Sequence, residues 1–242
     1  MKRKRPRLAL YTMLIVALIF ATTIYLGRSY KADAEAKDVF NATDIQLTQT
    51  SREIRVASLT PNSTLGFLIY PGAQIQPEAY LPLARETALR FDCVVVIVKF
   101  PFNFAFLDWK VGARVMNDEN IDQWILIGHS LGGAFGSKLA LADDRIRGMV
   151  MLASYPVDNL AKKEYPILSI NGQLDAVMSE AEFAKKKPKF PIGSEFYVIG
   201  GANHSQFGSY GLMSNDSVAS ISALKQRELI LDFITDWLSS LR

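Results

Sequence analysis

The sequence predicts an α/β fold in which helices cover both faces of a mostly parallel central sheet. Short apolar runs rich in β-branched residues alternate along the chain with segments of helical spacing, as in successive βαβ units. One of these runs, residues 93–100, is apolar almost throughout, as expected for a strand buried on both faces. The 242 residues, 49% of them hydrophobic, suffice for one sizeable core and an appendage.

The elements follow from the period of the apolar residues. Continuous or alternating apolar runs predict strands at residues 53–59, 65–70, 93–100, 124–128, 146–153, 167–171 and 195–199. Helical spacing predicts helices at residues 78–90, 108–117, 134–142, 179–186 and 224–241, the last of them amphipathic. Because the connection at residues 153–167 is short, no large helical cap is expected over the sheet.

The sequence Gly128-His129-Ser130-Leu131-Gly132 lies between a predicted strand and a predicted helix. In that setting the pattern G-x-S-x-G predicts a nucleophile elbow, a sharp turn that exposes a serine hydroxyl above the sheet. Glycines flank the serine because a Cβ would clash where the turn brings backbone segments together. Ser130 is therefore the candidate nucleophile.

The candidate base and acid follow the nucleophile in the chain. His129 is the neighbour of Ser130 and its side chain should point away, so His204 is the remaining histidine that can act as the base. His204 follows the strand at residues 195–199, at the carboxyl end where open parallel sheets build their sites. Asp175 follows the strand at residues 167–171 and fits the order Ser, Asp, His. Asp158 is the alternative acid.

An oxyanion hole requires backbone N–H groups directed at the developing negative charge. Leu131 directly follows the nucleophile and is the first expected donor. The second should come from the loop after the strand at residues 65–70. Pro71 has no N–H group, so Ala73 is the preferred donor and Gly72 the alternative.

With these residues the chain resembles the α/β-hydrolase superfamily, and in particular small bacterial dienelactone-hydrolase-like serine esterases. The resemblance lies in residues 70–73, 80–84, 102–107, 128–133, 171–175 and 201–208. It implies an α/β-hydrolase fold with a minimal or absent cap, and catalytic roles for Ser130, Asp175 and His204. Dienelactone hydrolases proper use a cysteine nucleophile, so the serine here departs from their lactone chemistry.

The amino-terminal segment predicts a membrane anchor. Five basic residues precede residue 8, and residues 8–26 carry no charge over a length that spans roughly 28 Å as a helix. We divide the chain into a basic cytoplasmic segment (1–7), a transmembrane signal anchor (8–27), a juxtamembrane spacer (28–50) and an α/β-hydrolase catalytic domain (51–242). The expected location is the cell membrane, crossed once, with the catalytic domain on the extracytoplasmic side. Cleavage within residues 32–36, giving a secreted protein, is the alternative.

Charge and composition argue against several other classes of function. Without the five amino-terminal basic residues, 22 Lys and Arg stand against 24 Asp and Glu, so nucleic acid is not an expected partner. A single cysteine, Cys93, excludes an intrachain disulfide and is expected to be a buried strand residue. No Cys/His cluster has metal-ligand spacing, so neither a metal nor a cofactor is expected.

The expected activity is hydrolysis of a small-molecule carboxylic ester, most simply a short-chain one, through an acyl-enzyme. The same chemistry would serve an acyltransferase or an amidase. A different class, a binding protein with the same fold and no turnover, has no need of all three residues. Four phenylalanines at alternate positions, Phe100 to Phe106, predict either an apolar acyl pocket or core packing.

Overall fold

The computed structural model describes residues 11, 27–117 and 120–241. Its strands are β1 (Ile45–Gln49), β2 (Glu53–Ser58), β3 (Leu65–Tyr70), β4 (Val94–Val98), β5 (Gln123–His129), β6 (Ile146–Leu152), β7 (Ile167–Gly172) and β8 (Glu195–Ile199). Its α-helices are α1 (Ala34–Asp38), α2 (Leu81–Phe91), α3 (Val111–Val115), α4 (Leu131–Ala140), α5 (Glu180–Lys186) and α6 (Ala223–Ser240). Short 3₁₀ turns lie at Val39–Asn41, Pro77–Tyr80, Pro101–Asn103, Ala105–Leu107, Lys187–Lys189 and Ser205–Phe207.

The eight strands form one sheet in the order β1-β2-β4-β3-β5-β6-β7-β8. Strands β3 to β8 run parallel to one another, and β2 lies antiparallel to both β1 and β4. The parallel strands all end at one edge of the sheet, so the loops after β3, β5, β7 and β8 meet there. The predicted α/β-hydrolase fold is confirmed.

Two apolar clusters lie on opposite faces of the sheet. One contains the inward residues of α1, α2 and α6, and the other those of α3 and α4. Strand β4 is buried along its whole length, as predicted from its β-branched run. Cys93, next to it, is free and buried, and burial raises the pKa of its thiol. The expectation of an inert strand-side cysteine therefore holds.

The predicted element bounds hold most closely for the parallel strands. Strands β3 and β8 have the predicted bounds, and the other predicted strands differ by one or two residues at one or both ends. The helix predicted at residues 108–117 shortens to Val111–Val115, because Asp108 has an extended φ of −157° and precedes the helix. The elbow helix starts at Leu131 rather than at residue 134.

The segment predicted as a spacer, residues 28–50, belongs to the folded domain. Strand β1 pairs with β2, and the Arg227 guanidinium on α6 binds Glu35 on α1 (2.6 Å) and Glu86 on α2 (2.7 Å). The sequence did not predict β1 because it is an edge strand with a single buried residue, Ile45, so no apolar run marks it. The domain boundary at residue 51 is corrected accordingly.

No cap domain covers the sheet in the described part of the chain. The connection from β6 to β7, residues 153–166, contains no helix, as the short interval predicted. The edge where the parallel strands end is therefore open at this connection.

The membrane anchor predicted at the amino terminus requires correction. Within residues 11, 27–117 and 120–241, no helix has both the length and the apolarity that a bilayer crossing demands. Of the predicted anchor, residues 8–27, only Tyr11 and Gly27 are among the described residues. The transmembrane anchor, the membrane partner and the membrane location are therefore withdrawn.

Candidate active site

Ser130 stands on the sharp turn between β5 and α4. Its backbone has φ 50° and ψ −127°, a conformation that non-glycine residues rarely adopt. The turn is held by the Ser130 N–H, which donates to the carbonyl of Leu152 on β6 (2.9 Å). Strain of this kind typically costs about 1–3 kcal/mol and persists where the surroundings enforce it. The geometry is that of the predicted elbow.

The glycines on either side of Ser130 allow this close approach. A Cβ on Gly128 would lie 2.3 Å from the Cα of Gly133, and one on Gly132 would lie 2.2 Å from the carbonyl oxygen of Pro71. Both neighbours are backbone atoms, which cannot move aside without shifting a strand or a helix.

Replacement of Gly132 by alanine is expected to destabilise the fold by about 1–3 kcal/mol or more, because the new methyl group meets backbone oxygens of residues 70 and 71. Chemical denaturation would measure the loss. Gly200→Ala is the matched control, since its Cβ would meet only a Gln173 side-chain atom at 3.8 Å. Equal stability of the two variants would contradict the packing argument.

Asp175 and His204 are joined by a buried hydrogen bond. Asp175 lies in the loop after β7 and His204 in the loop after β8, and the Asp175 Oδ2 is 2.7 Å from the His204 Nδ1. The two side chains are 1% and 2% exposed. The other carboxylate oxygen, Oδ1, accepts the N–H groups of Val177 (2.9 Å) and Met178 (2.7 Å), so the carboxylate is fixed from both sides.

An open cavity of about 510 Å³ lies at this edge of the sheet, and Ser130 and His204 both line it. Asp175 lies behind His204, away from the cavity. Among the described residues Ser130 and His204 form no hydrogen bond with each other. The distance between a catalytic hydroxyl and its base is often longer than a hydrogen bond before substrate binds. The structure therefore brings Asp175 and His204 into direct contact and places Ser130 in the same cavity as His204.

The alternative acid, Asp158, lies outside this arrangement. Its carboxylate is 52% exposed and pairs with the Lys138 ammonium at 2.8 Å. It makes no contact with either histidine, so Asp175 is the acid that the geometry favours.

The two predicted loops supply backbone donors beside Ser130. Leu131 is the first residue of α4, where N–H groups have no partner within the helix. In the loop after β3 the Gly72 N–H is already used, because it donates to the Tyr80 hydroxyl at 2.9 Å. The Ala73 N–H has no acceptor among the described residues, so Ala73 is the donor that remains available.

His129 supports this loop rather than the nucleophile. Its ring is 1% exposed, and its Nδ1 lies 2.7 Å from the Tyr80 hydroxyl. The Tyr80 hydroxyl accepts the Gly72 N–H and can donate its own proton to a neutral His129 ring that is unprotonated at Nδ1. Burial, and then the charge of His204, hold the pKa of His129 well below its usual value, so the ring is neutral. Sequence reasoning excluded His129 as a base but did not find this supporting role.

Replacement of Tyr80 by phenylalanine is expected to lower kcat for an ester about tenfold with little change in KM. The Gly72 N–H and the His129 ring would both lose a buried partner, and the loop that carries Ala73 would lose its anchor. The effect is smaller than the 10²–10³-fold loss typical of removing an oxyanion donor itself.

Steady-state kinetics on an activated ester would measure this split between kcat and KM. Tyr165→Phe is the matched control: it removes a tyrosine hydroxyl that donates to the backbone carbonyl of Ile146 (3.0 Å) and makes no contact with the loop of Ala73. A loss of kcat common to both variants would show a general effect on folding instead.

Asp216 is a second residue that the sequence did not indicate. Its carboxylate accepts the Ala176 N–H (3.1 Å), from the loop of Asp175, and the Ser205 N–H (2.7 Å), from the loop of His204. Burial acts to raise the pKa of Asp216, but hydrogen bonds from the Ser205 hydroxyl and from backbone N–H groups outweigh it and lower the pKa below its usual value. Asp216 therefore clamps the two loops together. No motif marks it, since it lies in an irregular segment.

The phenylalanine segment lies outside the cavity at Ser130. Phe100 and Phe104 are buried, and Phe102 and Phe106 are exposed. None of them lines the cavity at Ser130. Of the two interpretations of the sequence, core packing is correct for Phe100 and Phe104.

Comparison with known proteins agrees with this fold. Residues 66–228 match the model of the alpha/beta hydrolase family, so the chain belongs to the alpha/beta hydrolase family. No curated protein matches the chain in sequence.

Solved structures resemble the chain over most of its length. Est1E of Butyrivibrio proteoclasticus has a TM-score of 0.59 and 11% identity over 81% of this chain and 100% of its own. TT1662 of Thermus thermophilus has a TM-score of 0.57 and 17% identity, and the match covers 80% of this chain and 98% of its own. A novel esterase of Mycobacterium tuberculosis has a TM-score of 0.54 and 11% identity, and the match covers 84% of this chain and 96% of its own. At these identities the likeness concerns the fold. Membership of the alpha/beta hydrolase family supports hydrolase activity.

Proposed function

We propose that the protein is a serine hydrolase that cleaves small carboxylic esters through an acyl-enzyme. Ser130 is the nucleophile, His204 the general base, and Asp175 the acid that orients the histidine. One observation carries the proposal: the buried Asp175–His204 hydrogen bond lies at the wall of the cavity that also holds Ser130 on its strained turn. The finer likeness to dienelactone-hydrolase-like enzymes is part of the proposal and rests on the motifs alone.

Acylation uses the imidazole first as a base and then as an acid. Asp175 binds Nδ1–H, so the unprotonated Nε2 of His204 takes the proton of Ser130 as Oγ attacks the ester carbonyl carbon. The carbonyl oxygen becomes an oxyanion, which the N–H groups of Leu131 and Ala73 stabilise. The bond to the alcohol oxygen then breaks, and His204 returns its proton to the departing alcohol.

Deacylation repeats the sequence with water. His204 Nε2 takes a proton from water as the water oxygen attacks the acyl carbon. The second oxyanion then collapses, the bond between the acyl carbon and Ser130 Oγ breaks, and His204 returns its proton to Oγ as the acid leaves. The carboxylate of Asp175 stays ionised throughout. The open edge beside residues 153–166 gives both the ester and water access to the acyl carbon.

A fluorophosphonate probe tests the assignment. Such a probe phosphonylates an activated serine, and mass spectrometry of the digested protein should find it on Ser130. Ser154→Ala is the matched control, because Ser154 lines the same cavity but lies off the elbow. In this variant the probe should still be found on Ser130. No labelling together with no turnover of a panel of acyl esters, or labelling at another residue, would overturn the proposal.

A further inference from the structure

One wall of the cavity at Ser130 is rich in lysine. Helix α5 and the 3₁₀ turn after it, Lys187–Lys189, carry four lysines within five residues. Two of them, Lys185 and Lys186, line the cavity together with Ser130 and His204. The positive charge therefore lies beside the group that would attack a substrate.

The two lysines that line the cavity have no carboxylate partner among the described residues. Lys138, close to the site on α4, is instead paired with Asp158 at 2.8 Å. Lys186 Nζ lies 5.1 Å from the ring centroid of Tyr155, another residue of the cavity wall, so a cation–π contact holds this ammonium at the cavity. Lys186 is thus the lysine whose ammonium group the structure places at the cavity wall, with Lys185 beside it in the sequence.

The carboxylates near the cavity are engaged elsewhere. Glu182 lines it too, but its N–H donates to the Ser179 hydroxyl and its carboxylate lies 3.4 Å from that same oxygen, at the first turn of α5. There the negative charge complements the positive end of the helix. Asp175 is buried behind His204 and bonded to it. Two lysines and one glutamate line the cavity, so their formal charges sum to +1 at this wall.

We propose that the site selects esters that carry a second, negatively charged group, which the Lys185 and Lys186 ammonium groups hold while Ser130 attacks the ester. The inference rests on the proposed esterase function and specifies its substrate class. Lysine binds anions as a flexible point charge, so carboxylate and phosphate are both suited to this wall. Unpaired cations at the mouth of a cavity also raise the local concentration of an anionic substrate.

Two matched pairs of esters test the inference. The first pair places the charge on the acyl side: the 4-nitrophenyl monoester of adipic acid against 4-nitrophenyl heptanoate. The second places it on the alcohol side: 4-carboxyphenyl acetate against 4-carbamoylphenyl acetate. In at least one pair, kcat/KM of the wild-type protein should favour the charged ester, and the favoured pair shows which side the lysines contact.

The double variant K185Q/K186Q should lose this preference. We expect kcat/KM for the charged ester to fall about five- to tenfold, while that for its neutral partner stays within about twofold. Raising the ionic strength to about 0.5 M should reduce the preference of the wild-type protein in the same way. Lys37→Gln is the control, since Lys37 is exposed and does not line the cavity.

The possible outcomes separate this inference from the proposed function. Ester cleavage with no preference for charge, or an equal change for both members of a pair in K185Q/K186Q, would overturn the inference and leave the esterase proposal intact. Absence of all ester cleavage would overturn the esterase proposal. In that case tighter binding of 4-hydroxybenzoate than of 4-hydroxybenzamide, lost in K185Q/K186Q, would still support the anion site, and equal binding would overturn it.

Discussion

Replacement of Ser130 by alanine is expected to lower kcat for an activated ester by about 10⁴- to 10⁶-fold and to leave the fold intact. The hydroxyl would be the atom that bonds to the substrate, so no neighbouring group can replace it. The fold should survive because the elbow is held by backbone contacts: the Ser130 N–H bonds Leu152, and Gly128 and Gly132 allow the close approach. Alanine retains all of these.

Kinetics with an activated ester, beside circular dichroism and thermal unfolding, would measure this result. Ser154→Ala serves as the control: it removes a hydroxyl from the same cavity that donates to the Ser130 carbonyl at 2.6 Å. A modest loss of rate is expected there. If Ser130→Ala keeps nearly the activity of the wild-type protein, Ser130 is not the nucleophile, even though it lies on the strained turn.

The sequence predicted the three candidate catalytic residues because parallel sheets leave little freedom at this edge. A serine flanked by glycines between a strand and a helix can adopt few backbone conformations. Asp175 and His204 each follow a strand that runs parallel to β5, so their loops end at the same edge. The 2.7 Å contact between them is what that topology favours.

The supporting contacts could not be predicted in the same way, because they join residues with no sequence pattern in common. The Tyr80 hydroxyl meets Gly72 and His129 only after a helix has packed on the sheet. Asp216 joins two loops from an irregular segment. Both contacts depend on tertiary packing, and a polar side chain in a loop carries no periodic signal.

In the amino-terminal region the sequence predicted a spacer where the structure has folded elements. An apolar run after a basic cluster favoured an anchor and, after it, a juxtamembrane spacer at residues 28–50. Polar residues 28–50 instead contain α1 and β1, because an edge strand needs only one buried side chain and the Arg227–Glu35 ion pair fastens the helix. Composition alone does not distinguish such an edge from a linker.

Asp175→Asn is expected to lower kcat by about 10⁴-fold, more than loss of a surface ion pair could. Oδ1 accepts the N–H groups of Val177 and Met178, so the amide oxygen of asparagine must occupy that position. The amide NH₂ then faces His204 Nδ1, which must accept a hydrogen bond instead of donating one. The imidazole proton moves to Nε2, and the nitrogen that should receive the Ser130 proton is no longer free.

Asp158→Asn is the matched control for that variant. It makes the same chemical change at an exposed carboxylate and breaks only the ion pair with Lys138, for which a loss of under about 1 kcal/mol in stability and little change in rate are expected. Comparing kcat for the two variants, with thermal unfolding to confirm that both fold, ranks the two acids directly. A large loss in Asp158→Asn and a small one in Asp175→Asn would assign the acid to the loop after β6. The tautomer argument would then fail, because it requires the carboxylate that touches His204 Nδ1 to be the one that matters.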